Sequence, residues 1–126
     1  SVKNLVMTVG KAYIAQRMTS GSTQIMNTMA IGVGTTTPAA TQTALSSEAG
    51  RVATSSFSAG GTSGNEVTAT ATFPAGTGTG SITEAGIFNP SSAGAAAGTM
   101  MCRTTFPVVS KAAGDSIAIT WKVTVS

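Results

Sequence analysis

The sequence predicts a mainly β fold: an antiparallel β-sandwich or flattened barrel of about six strands with an N-terminal helix. Two segments alternate with a period of two. In Glu66–Phe73 the residues Val67, Ala69, Ala71 and Phe73 fall on one side, with Thr68, Thr70 and Thr72 on the other. In Asp115–Val125 the residues Ile117, Ile119, Trp121, Val123 and Val125 oppose Ala118, Thr120, Lys122 and Thr124. Such alternation marks strands with one face in a core. The third observation is punctuation, because Gly-, Ser- and Thr-rich stretches recur between short apolar runs. Threonine is β-branched and suits a pleated surface, so the hydroxyl faces need no function.

Taken in order, residues 3–18 carry Leu5, Val6, Val9, Ala12 and Tyr13 at roughly helical spacing, and Ser20-Gly21-Ser22 stops the run. Gly10 costs such a helix about 1 kcal/mol relative to Ala. The helix is expected to lay its Leu5, Val9 and Tyr13 face on the edge or end of a sheet, as an appendage rather than a layer. The chain reads as one domain over residues 1–126, with a helical segment at 1–20 and a β-domain at 25–126. Ile25 to Val33 is a strand closed by Gly34, Thr35 to Thr43 is a loop containing Pro38, and Thr43 to Ala49 forms one or two helical turns. Arg51 to Phe57 is the second strand, and Ala59 to Asn65 is a hairpin or loop tip.

Glu66 to Phe73 follows, and then Gly80 to Phe88. The interruption at Gly86 suggests a bulge or a close backbone approach, which marks Gly86 as a structural position. Asn89 to Gly98 is a low-complexity loop. Thr99 to Phe106 is a strand ended by Pro107. Trp121, central on the apolar side of the last strand, is the expected core anchor.

Composition narrows the function. The chain is 41% hydrophobic and only 9% charged, well below the roughly 25% of ordinary soluble domains. Thr, Ser, Ala and Gly replace the missing charge, and such a surface loses little solvation when a neighbour covers it. That suits an assembly, with a secreted Thr-rich β-domain as the bland alternative. The net charge of +3 does not point to nucleic acid. The basic residues Lys3, Lys11, Arg17, Arg51, Arg103, Lys111 and Lys122 are scattered, with no cluster to displace counterions from a phosphate backbone. No window approaches the ~20 apolar residues of a membrane span. The first residues lack the pattern of a secretory signal, and a protein assembled in bacterial cytoplasm fits these absences.

Catalytic constellations fail on supply. There is no histidine, which removes the usual base of a Ser or Cys nucleophile. The single cysteine, Cys102, lies in an apolar run, so no internal disulfide forms and a core role is expected. Paired-carboxylate chemistry would need two of Glu48, Glu66 and Glu84 to meet in space. Gly32-Val33-Gly34 has Thr37 where a dinucleotide fingerprint has its third glycine. No catalytic residue, metal ligand or cofactor is expected. Glu84 reads as a charge partner for Arg103 on the following strand.

One segment is informative by resemblance. Ile82-Thr83-Glu84-Ala85-Gly86-Ile87-Phe88-Asn89, followed by a strand and then Ala113-Gly114-Asp115-Ser116-Ile117, resembles small virion structural proteins of tailed bacteriophages. The likeness extends to Asn4-Leu5-Val6 with Gly10-Lys11-Ala12, and to Met29-Ala30-Ile31-Gly32-Val33-Gly34-Thr35 running on to Ala40. It continues through Thr43-Ala44-Leu45, Glu48 and Arg51-Val52-Ala53. The resemblance implies a non-enzymatic particle component located in the virion. The first expectation is a capsid decoration, or cement, protein that binds the major capsid protein or other virion proteins and stabilises the assembled head. In that reading it acts as a homo-oligomer, most simply a trimer. The alternative is a tail-fibre or baseplate-associated module that contacts the host or anchors a fibre. Lys3, Lys11, Arg17 and Lys111 are the candidate partner contacts. A receptor binder normally presents aromatic anchors, and the loops Thr35–Thr43, Ala59–Asn65 and Asn89–Gly98 hold none.

Overall fold

The computed structural model describes residues 5–19, 25–89 and 98–124. Eight strands and one helix follow in the order β1 (Leu5–Val6), α1 (Thr8–Thr19), β2 (Thr28–Gly32), β3 (Glu48–Ala53), β4 (Ser56–Gly60), β5 (Glu66–Phe73), β6 (Gly80–Phe88), β7 (Met100–Lys111) and β8 (Ile117–Thr124). They form two wholly antiparallel sheets, one of order β1-β7-β6-β2-β3 and one of order β4-β5-β8. The architecture is the sandwich, not the closed barrel.

The smaller sheet follows the period-two pattern. Ala69 pairs with Trp121, Ala71 with Ile119 and Phe73 with Ile117, and Ala69, Ala71, Phe73 and Trp121 are buried in one apolar cluster. In the first two pairs a small residue stands opposite a large one, which lets the layer interdigitate at native density. On the other face Thr70 and Thr120 bring their hydroxyls to 3.4 Å. Trp121 occupies the core position that the alternation assigns to it.

The larger sheet is buried on both faces. All five residues of β2 are buried, as are Ile82 to Phe88 of β6. Met29, Ile31, Ala85, Ile87 and Cys102 face the smaller sheet. A second apolar cluster, Met7, Ala30, Leu45, Phe88 and Met100, lies apart from the first, on the face covered by the segment between β2 and β3. This two-sided burial explains why Met29-Ala30-Ile31-Gly32 reads as a continuous apolar run rather than an alternating one.

Three expected elements are corrected, and one open alternative is decided. Thr43 to Ala49 forms no helical turn, because the Ser46 and Ser47 amides donate to the Glu84 carboxylate and β3 begins at Glu48. Arg51 to Phe57 is not one strand. The chain breaks at Thr54 and Ser55, where the Thr54 amide donates to Asn27 O (2.9 Å) and the Ser55 amide to Thr70 O (2.8 Å), passing the chain from one sheet to the other. The strand begun near Thr99 does not end at Pro107 but runs to Lys111. Proline is tolerated because the pairing with β6 shifts between Ile82 and Glu84, opposite this stretch, and a bulge needs no ladder donor there. Gly86 sits in regular register between Ala30 and Arg103 and is not among the glycines of positive φ, so it marks close approach rather than a bulge.

Helix α1 lies against β7 with most of its residues exposed, as expected of an appendage. Its buried positions are Gly10 and Tyr13. Leu5 belongs to β1, paired with Arg103, and not to the helix face. A Cβ at Gly10 would overlap the Met101 carbonyl, so the helix-weakening glycine is what admits the helix to the sheet. The loop into β6 turns on Gly76, Gly78 and Gly80, all at positive φ (83°, 72° and 132°), the left-handed conformation that glycine reaches without steric cost.

Candidate functional site

The polar centre of the molecule is Glu84. Its side chain and that of Arg103 have no exposed surface and form an ion pair of 2.9 Å. The two do not stand directly opposite on the strands: Glu84 faces Thr105, and Arg103 faces Gly86. The pairing is diagonal, within reach of long side chains. Glu84 Oε2 accepts from the Gly34 and Ser47 amides, each at 2.8 Å. Oε1 accepts from the Ser46 amide at 2.9 Å and from Arg103 Nε at 3.0 Å. Burial pushes this carboxyl up, but the amides of Ser47 and Ser46, the Arg103 side chain and the Gly34 amide together outweigh it, and the net shift is below the ordinary glutamate value.

Arg103 extends the network outward. Nη1 donates to Gln42 Oε1 (3.1 Å) and Nη2 to Ser46 Oγ (3.0 Å). Gln42 Oε1 accepts from the Ala39 amide, and Gln42 Nε2 donates to Thr37 O, so the turn around Pro38 is knitted to the same centre. The neck closes where the Val33 amide donates to Ser47 O (2.9 Å) and Thr83 Oγ1 donates to Gly34 O (2.7 Å). Residues 33–47 are therefore a compact loop with adjoining ends, an Ω-loop. Gly32-Val33-Gly34 has a role no nucleotide motif explains. A Cβ at either glycine would overlap the Glu84 carboxylate and the Ser46–Ser47 segment.

The candidate partner contacts do not converge. Lys3 lies outside the described residues. Lys11 and Arg17 are exposed on α1. Lys111 is corrected: it is 1% exposed, and its ammonium donates to Pro74 O (2.9 Å) and Asp115 O (2.7 Å). It ties the turn after β5 to the turn after β7 and does not face an outside partner. Asp115 shapes its own turn through the Ala112 amide (2.8 Å). Glu48 pairs with Arg51, whose guanidinium lies 4.5 Å from the centre of the Phe88 ring, within cation–π range. Cys102 is fully buried, and burial pushes its thiol up to about 12, so it stays protonated at neutral pH.

Among the described residues no three Cys, Asp or Glu side chains gather as a metal-binding group, and no helix is long and apolar enough to cross a membrane. The arrangement around Glu84 binds backbone amides and holds the loop ends together. All six aromatic side chains are wholly or partly buried: Tyr13, Phe57, Phe73, Phe88, Phe106 and Trp121. No curated protein and no solved structure matches the chain. Residues 2–126 match the family described as phage tail-collar fibre protein, N-terminal.

Proposed function

The chain belongs to the phage tail-collar fibre protein family and is a structural component of a tailed-phage virion, and from that premise we propose that it is a non-enzymatic module that anchors a fibre on the tail. The observation that carries this reading is the family match over residues 2–126, which favours the fibre alternative over capsid decoration. Within the fibre reading, the buried aromatic side chains favour anchoring to other virion proteins over gripping a host receptor. Hot spots of recognition draw on Trp, Tyr and Arg, and here Trp121, Tyr13 and Arg103 are all buried within the chain. A partner surface made of Thr, Ser and Ala suits permanent burial in an assembly. Symmetric self-association is part of the proposal, because closed symmetric contacts are the usual form of homo-oligomers, and a trimer is the order expected from the resemblance to virion proteins.

Copy number in purified virions tests the proposal. Quantitative mass spectrometry against the major capsid protein is expected to give a few copies to tens per particle. Hundreds of copies would return the chain to the head or the tail tube.

A further inference from the structure

We propose that residues 33–47 form a strap whose two ends are pinned together by a single carboxylate, with hydrogen bonds from Arg103, Thr83 and the Thr8 amide beside it, and that loss of the carboxylate's charge opens the strap as a unit while the sandwich beneath stays folded. Both ends of the strap meet on Glu84, Gly34 at one end and Ser46 with Ser47 at the other. The strap itself, from Val33 to Ser47, contains no titratable residue, so its ionic hold comes entirely from β6 and β7. Arg103 is the charged group of β7 on the carboxylate. Strand β2 supplies none. From β3, Glu48 and Arg51 pair with each other, with Gly32 in register between Glu48 and Glu84. The charges of α1, Lys11 and Arg17, are exposed.

The strap covers a definite surface. Leu45 completes the cluster of Met7, Ala30, Phe88 and Met100, while Met29, Ile31, Phe73 and Trp121 belong to the separate cluster between the sheets. Opening would bare the first cluster and leave the second. Protonating Glu84 weakens its grip on three loop amides and leaves the buried Arg103 guanidinium without a counter-charge, which is unfavourable in a site removed from water. The sign follows from the depressed carboxyl. The hold is complete above the unfolded glutamate value of about 4.3 and is lost as pH falls through the lower folded value.

Methionine oxidation by dilute peroxide, read by peptide mass spectrometry, tests the strap because the methionines report separate places. Met18 is 82% exposed, whereas Met7, Met100 and Met29 are fully buried. In Glu84→Gln at pH 7, Met7 and Met100 are expected to oxidise at least tenfold faster than in the unaltered protein, with Met29 unchanged. The unaltered protein should show the same selective gain as pH is lowered below the carboxylate range. Gln42→Ala, which removes a contact of Arg103 and two bonds within the turn around Pro38 but leaves the carboxylate on its three amides, should stay within twofold of the unaltered protein at pH 7. Joint exposure of Met7, Met100 and Met29, no selective gain in acid, or equal opening in Gln42→Ala would overturn the proposal. If Glu84→Gln does not fold, the acid titration of the unaltered protein decides.

Discussion

At the scale of single residues, Glu84 and Arg103 are removed from water at a cost of several kcal/mol per ion. The pair is tolerable because each charge is met: the carboxylate by the Gly34, Ser46 and Ser47 amides, the guanidinium also by Gln42 and Ser46. Removing one partner strands the other. Arg103→Met and Glu84→Gln should each lose about 3–5 kcal/mol, and the double variant should lose less than their sum; additive losses in urea titrations would show the ions to be independent. Trp121→Ala should also lose about 3–5 kcal/mol, seen as a much lower melting temperature. Gly86→Ala presses a methyl within 3.0 Å of Phe88 Cε1 and 3.1 Å of Leu45 Cδ2, and should cost about 1–3 kcal/mol. Gly60→Ala, with nothing within 4 Å, should be close to neutral in the same melting assay.

At the scale of elements, the competing terms are clearest in α1. An alanine at Gly10 improves helix propensity by about 1 kcal/mol but collides with the Met101 carbonyl, backbone that cannot rotate away. Gly10→Ala is therefore expected to lower stability despite the better helix former, and a raised melting temperature would show that α1 can retreat from β7. The same contrast between local and distant causes explains what could be read from the sequence. Strands β5 and β8 were legible because their period-two pattern is local, but that pattern sets only the face of each residue, and the register that puts Ala69 opposite Trp121 comes from the structure. The pair of Glu84 and Arg103 was legible because each lies on one of two successive strands. Residues 43–49 were not, since their extended path depends on a carboxylate some forty residues away along the chain. Lys111 misled for a similar reason: its partners are carbonyls of Pro74 and Asp115, and a carbonyl leaves no mark in residue type. The change of sheet at Thr54 and Ser55 likewise rests on Asn27 and Thr70.

At the scale of the whole molecule, low charge, interior aromatics and the family assignment lead to the same reading, a part that works by being assembled. The described surface offers hydroxyls and methyls along β5, β8 and the strap, with Lys11, Arg17 and Lys122 as exposed cations. In solution the chain is expected to form a closed symmetric oligomer, proposed above as a trimer. Light scattering that returns a monomer at tens of micromolar would argue against self-association by this chain alone. The claim that matters most is location. Gold-labelled antibody raised against this chain, viewed on intact virions, tests it directly. The account predicts label on the tail where fibres attach and a head surface left bare; label distributed over the head would contradict it.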